Sequence, residues 1–201
     1  MSNEDQRYPR GVLLATAAVI LVCLFGHLGA IGLVGPDEPR YAWIARAMAG
    51  TGDWVTPRLY GQPWFEKPVL YYWCAAAGFL LHFPAEWAAR LPSALAALAA
   101  AMAIGWLGWK HYGSEGELAR SPALLAPLLF STSVAAIGFA RAAAPDMLLS
   151  ASLTLAMACA ACIMNRAGAL RAGAGTSGSS RDESRFMPQG LKPRKIWQNL
   201  M

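Results

Sequence analysis

Apolar residues run without a charge from Gly11 to Val34, a stretch of 24 positions. At 1.5 Å per residue such a helix reaches about 36 Å, enough to cross the hydrocarbon core of a bilayer with some tilt. Three later stretches are also long enough to span: 88–109, 119–140 and 145–164. Alanine fills much of their surface, and small side chains let helix backbones approach closely in lipid. A shorter apolar stretch, 68–83, has 16 residues. The pattern predicts an all-α polytopic integral membrane protein with four spans.

Between the first span and the second, residues 35–87 form a loop with structure of its own. From Glu38 to Ala49, Tyr41, Ile44, Ala45 and Met48 recur on one helical face while Arg40 and Arg46 lie elsewhere. That period predicts a short amphipathic helix at the membrane interface, ended by Gly50 and Gly52, with Trp43 and Trp54 at headgroup level. The stretch 68–83 decides the topology. If it crosses, the basic links fall outside. If it lies in the interface or re-enters, Lys110, Arg120, Arg166, Arg171 and the basic C-terminal tail fall inside with residues 1–10, and the positive-inside rule holds at every link. The second arrangement is the expected one. It places Asp37, Glu38, Glu66 and Asp146 together on the outer face.

Composition agrees with the bilayer as solvent: 56% of residues are hydrophobic and 14% charged, where soluble domains carry about a quarter. The net charge of +5 reflects cytoplasmic flanks rather than a nucleic-acid surface, so no nucleic-acid partner is expected. Four cysteines are too few and too scattered for a disulfide framework. Cys159 and Cys162 form a CxxC, but inside an apolar run where a redox pair has no polar setting; they read as packing residues. Residues 165–201, rich in Gly, Ser and Arg, are expected to be a disordered basic tail.

Three clusters could carry chemistry. The first is Gly35-Pro36-Asp37-Glu38-Pro39-Arg40-Tyr41. Paired carboxylates at a helix mouth near lipid either face a functional cavity or cap the amphipathic helix through its dipole. The second is Trp64-Phe65-Glu66-Lys67-Pro68, in which Glu66 could ligate a metal or act as acid/base and Lys67 could meet a phosphate; the alternative is an interfacial ion pair among anchoring aromatics. In the third, Arg141 and Asp146 bracket the start of the last span, where Asp146 serves either chemistry or as a cap. Carboxylates beside Arg40, Lys67 and Arg141 on one face suit a base acting on an acceptor and cations meeting a phosphate leaving group.

These stretches, with Gly52-Asp53-Trp54-Val55-Thr56-Pro57 between them and Met147-Leu148-Leu149 after Asp146, resemble the aminoarabinose (4-amino-4-deoxy-L-arabinose) lipid A transferase branch of the bacterial C-type (GT-C) glycosyltransferases, relatives of the protein O-mannosyltransferases. The resemblance covers about 11–164, in order. It implies a GT-C-type N-terminal module with amphipathic juxtamembrane helices in the first outer loop. The implied activity is inverting transfer of a sugar from a polyprenyl phosphate to lipid A, another envelope glycolipid or a protein, at the periplasmic face of the inner membrane. Matched residue by residue, Asp37 resembles the catalytic carboxylate, with Glu38 beside it, and Asp146 the second acid. Lys67 matches the position that meets the donor phosphate, Glu66 the one that can hold a divalent metal ion, and Arg40, Tyr41, Trp64 and Arg141 supporting substrate-binding positions. Members of this family typically carry many more spans, so the resemblance also implies a truncated or frameshifted N-terminal fragment. Two other functions are compatible with the residues: a small polytopic transporter coupled through Asp37, Glu66 and Asp146, and a non-catalytic remnant.

Overall fold

Arg10 opens α1 (Arg10–Phe25) in the computed structural model, which describes residues 10–112 and 117–182. α1 has 16 residues, about 24 Å. The expected helix over 11–34 therefore stops nine residues early, although the apolar run continues to Val34. The reason is tertiary. From Gly26 the chain turns, with His27 at φ 62°, and the carbonyls of Leu28, Ile31 and Gly32 are taken by the guanidinium of Arg90 instead of by helical amides.

α2 (Asp37–Thr51) is the expected amphipathic helix, and its buried face is Tyr41, Ala42, Ile44, Ala45 and Met48. Gly52, at φ 72°, ends it by donating its amide to the Met48 carbonyl. A two-stranded antiparallel ribbon follows, β1 (Arg58–Leu59) and β2 (Gln62–Pro63). Tyr60 and Gly61, both at positive φ, make the tight turn whose twist suits a hairpin. α3 (Val69–Leu80) occupies the short apolar stretch. Its 12 residues reach about 18 Å, less than the hydrocarbon core.

α4 (Ala85–Tyr112) has 28 residues, starts three residues before the expected span and holds Pro92. The stretch 119–140 is two helices, not one: α5 (Glu117–Thr132) and α6 (Val134–Ala140) meet at a bend of 65°. Ser133 is extended there and accepts the Ala136 amide as the N-cap of α6, while Thr132 and Ser133 donate their hydroxyls back to carbonyls of the preceding turn. Hydroxyl competition of this kind bends helices.

α7 (Asp146–Asp182) starts one residue inside the expected span and continues past it. Residues 165–182, expected as disordered, are thus helical, the good helix formers Arg166, Ala167, Leu170 and Arg171 extending the turn already formed. Residues 183–201, and the N-terminal 1–9, lie outside the described residues. The described residues up to Ala158 form one compact unit and those from Cys159 on another.

By length and composition, α4 and the first part of α7 (146–167) can cross a membrane, as can the bent α5–α6 pair taken together; α1 is shorter. The architecture is a polytopic helical membrane fold, with the ribbon as its one departure from all-α among the described residues. All four cysteines are free thiols.

Two cores organise the first unit. One joins α2, α3 and the start of α4 through Tyr41, Ile44, Met48, Tyr71, Tyr72 and Ala89. The other joins α1, α4 and α6 through Ile20, Leu24, Ala97 and Ala140. Backbone proximity makes the first possible: a side chain at Gly78 would meet the Cα of Ala88 at 3.0 Å. Gly78→Leu is expected to force α3 off α4 and to cost about 1–3 kcal/mol of stability as overpacking. A melting point equal to the parent's would show that this contact is not tight.

Candidate functional site

The first turn of α2 links the three motifs, because Glu38 and Arg40 leave it in different directions. Glu38 turns inward. Its Oε2 accepts from Arg90 Nη2 at 2.7 Å and from the Val34 amide at 2.8 Å, and its Oε1 from Arg90 Nε at 3.3 Å and the Ala143 amide at 2.7 Å. Both side chains are nearly sealed from solvent, 13% and 4% exposed. Burial opposes the charge on Glu38 and is the largest single effect, but the Arg90 and backbone hydrogen bonds outweigh it and hold the carboxyl below its ordinary value.

Arg90 extends the joint by donating Nη1 to the carbonyls of Leu28 and Ile31 and Nη2 to Gly32. One buried ion pair thus ties together the turn after α1, the start of α2, α4 and the 141–146 link. Ser93 adds a hydrogen bond to the Ala144 carbonyl.

Arg40 turns outward and joins the first two motifs. Its guanidinium lies 3.3 Å from Asp37 Oδ1 and 3.1 Å from Glu66 Oε2, and stacks over the Trp64 ring at 5.7 Å. Trp64 Nε1 also donates to Glu66 Oε2, and Lys67 Nζ sits 3.8 Å from Glu66 Oε1. Asp37 is 60% exposed and bound only to Arg40 among the described residues. The ribbon that carries Trp64 is anchored by Asp53, whose Oδ1 accepts the Val55 and Thr56 amides; the Thr56 bond is the leading cause that lowers its pKa.

Asp146 opens α7, exposed and without a side-chain partner among the described residues. Pro145 beside it faces Pro68, the neighbour of Lys67, across an apolar groove of about 140 Å³ lined also by Leu70, Tyr71, Leu148 and Leu149. The second and third motifs therefore flank one groove.

Four expected roles change. Glu38, expected to be catalytic together with Asp37, has both oxygens engaged in the buried joint, at the wall of a cavity of about 510 Å³ that Arg90 and Arg141 also line. Arg141, expected to bind substrate, donates to the Cys23 and Val22 carbonyls and so caps the open C-terminus of α1. Tyr41, also expected at substrate, is buried and packs edge-on against Tyr71 and Tyr72. Its hydroxyl is pushed to higher pKa, by burial first and by Asp37 next.

Glu66 was the expected metal ligand, and the residues present do not fit a divalent cation. Its carboxylate is surrounded by a guanidinium, an ammonium and an indole N–H, and no group of three His, Cys, Asp or Glu side chains converges among the described residues. Sequence reasoning missed Arg90. The available signal was its place as the lone charge within the apolar stretch 88–109, since an arginine there must find partners.

Comparison with known proteins follows the same segment. The profile of the family described as dolichyl-phosphate-mannose-protein mannosyltransferase matches residues 12–177. The undecaprenyl phosphate-alpha-4-amino-4-deoxy-L-arabinose arabinosyl transferase of Pectobacterium carotovorum is 32% identical over 74% of this chain and 26% of its own, and a Sodalis glossinidius homologue with that activity in its name is 34% identical over 73% and 25%. Crystal structures of ArnT from Cupriavidus metallidurans superpose with a TM-score of 0.66 in the apo state and 0.62 bound to undecaprenyl phosphate, at 34% and 35% identity. They cover 74% and 75% of this chain, and 26% and 27% of theirs. The chain spans about a quarter of the length of the relatives it matches. With the profile matching most of its residues, the chain belongs to the dolichyl-phosphate-mannose-protein mannosyltransferase family.

Proposed function

We propose that this chain carries the donor-phosphate and base side of a membrane glycosyltransferase. A sugar leaves a polyprenyl phosphate and passes to an envelope acceptor, lipid A or another glycolipid or a protein, at the periplasmic face of the bacterial inner membrane. The observation that carries this reading is the Arg40-centred cluster, which places an exposed carboxylate and two cations beside an apolar groove. Kinship supports it, since the relatives are named for an undecaprenyl phosphate-linked sugar and one solved relative holds undecaprenyl phosphate.

In this mechanism the polyprenyl chain enters the groove between α3 and α7 and brings its phosphate to Lys67. Among the described residues Lys67 pairs only with Glu66, at 3.8 Å, loose enough for its ammonium to turn to a phosphate. Asp37 takes the proton of the acceptor hydroxyl or amine. The acceptor atom bonds to the anomeric carbon as the bond from that carbon to the phosphate oxygen breaks, which inverts the carbon. Polyprenyl phosphate departs with its new negative charge facing Lys67 and Arg40. Glu66 keeps the two cations and Trp64 in place, and Asp146 stands across the groove to orient the acceptor.

Photoreactive polyprenyl phosphate offered to the purified chain tests the donor side. Crosslinks are expected in residues 64–71 and 145–152, with capture falling about tenfold in Lys67→Gln, the loss of one charge-assisted contact. Crosslinks confined elsewhere, or capture unchanged by the substitution, would remove the basis for the assignment.

A further inference from the structure

A basic cavity lies at the C-terminal end of α2, whose first turn carries the Arg40 cluster. It measures about 490 Å³ and is lined by Arg46, Ala49 and Gly50 at the end of α2, by Phe79, Leu80, His82 and Phe83 at the end of α3, and by Ala85. Both of its polar side chains are basic, and no carboxylate among the described residues lines it. Arg46 is exposed and makes no ion pair or hydrogen bond among the described residues. It differs in this from Arg40, Arg58, Arg90 and Arg141, all of which are engaged.

His82 is the second unusual feature. α3 ends in a tight cap in which the Phe83 amide bonds the Gly78 carbonyl and the His82 amide the Phe79 carbonyl. The capping position requires left-handed backbone and is most often glycine. Here it is His82 at φ 60°. A histidine at this place costs about 1 kcal/mol relative to glycine, and its imidazole lines the cavity opposite Arg46.

The remaining walls are apolar. Leu80 and Phe83 are 51% and 40% exposed, and Leu81 between them is 66% exposed. Leu80 ends α3, and Leu81 and Phe83 lie in the cap that follows it; an exposed apolar wall of this kind suits acyl chains.

We infer that this cavity binds an anionic glycerophospholipid of the surrounding leaflet, its headgroup phosphate between Arg46 and His82 and an acyl chain along Phe79, Leu80 and Phe83. The site is separate from the Asp37 cluster and requires no sugar chemistry, so it stands or falls independently of the proposed transfer. Its effect is to fasten the ends of α2 and α3 to the bilayer, while the Glu38–Arg90 joint holds the first turn of α2.

Retention of radiolabelled phosphatidylglycerol against phosphatidylcholine by the detergent-purified chain tests it. The parent is expected to retain phosphatidylglycerol preferentially, and Arg46→Gln to lower that preference about tenfold. His82→Gly separates binding from folding: glycine suits the left-handed cap, so the melting point is expected to hold or rise while the preference falls. Inorganic phosphate at millimolar concentration is expected not to displace the lipid, because it brings no acyl chain. Equal retention of both lipids by the parent, an unchanged preference in both variants, or displacement by inorganic phosphate would each overturn the inference.

Discussion

Arg90→Leu will unfold the first compact unit, or bring it close to unfolding, at neutral pH. Removing one partner of a buried ion pair leaves the other charge uncompensated, at a cost of roughly 3–5 kcal/mol. Here the loss is wider than one pair, because the carbonyls of Leu28, Ile31 and Gly32 lose their donors at the same time. Thermal melting in detergent measures the effect. The double variant Arg90→Leu/Glu38→Leu is expected to recover part of the loss, since it removes the stranded carboxylate.

The pH dependence follows from the same joint. The folded-state pKa of Glu38 lies below its ordinary value of 4.5. Its stabilising contribution is therefore complete above about that ordinary value and is lost as pH falls through the lower, folded-state value. The Arg90→Leu variant should lack this acid limb. An unfolding free energy within about 1 kcal/mol of the parent's would show that the joint is not what holds the turn after α1.

Asp37→Asn carries the second large effect, on turnover rather than on fold. Asp37 is exposed and makes one ion pair with Arg40, so its removal should change stability by less than about 1 kcal/mol. With Asp37 as the proposed base, its loss is expected to slow sugar transfer by about 10²–10⁴-fold while donor capture is retained. Asp53→Asn is the contrasting case. Asp53 accepts two backbone amides in the turn before the ribbon, and its replacement is expected to loosen that turn with little change in transfer. Kinetics of both variants beside donor crosslinking separate the two roles, and equal rate losses would refute the distinction.

Which features were legible in the chain follows from the range of the interactions that make them. α2 and its buried face were readable because Tyr41, Ile44, Ala45 and Met48 repeat at helical spacing. The pairing of the motifs around residues 37–41 and 64–68 was readable as chemistry, as carboxylates and cations gathered on one face. The end of α1 was masked by apolar residues that continue to Val34, although Gly26, Gly29 and Gly32 interrupt them; the chain beyond Phe25 is held by Arg90, distant in sequence. The bend at Ser133 falls on Ser131-Thr132-Ser133, a polar triplet inside the apolar stretch, and hydroxyls there are compatible with a straight helix as well as a bent one. Glu38, Arg141 and Tyr41 have the residue types that chemistry needs, but sequence does not disclose where a side chain points. Folding turns each toward carbonyls, amides or rings. Asp37, Arg40, Trp64 and Lys67 remain at the exposed face, where a ligand can reach them.

The claim that these residues serve sugar transfer is tested most directly in a chimaera, with residues 12–164 of this chain in place of the matching segment of the Cupriavidus metallidurans ArnT. Membranes containing it are given polyprenyl phosphate bearing a labelled sugar, and the glycolipid fraction is counted. The account predicts label in glycolipid with the chimaera and its loss with Asp37→Asn. A chimaera that captures the donor yet transfers nothing, or one that transfers equally well with Asp37→Asn, would contradict it.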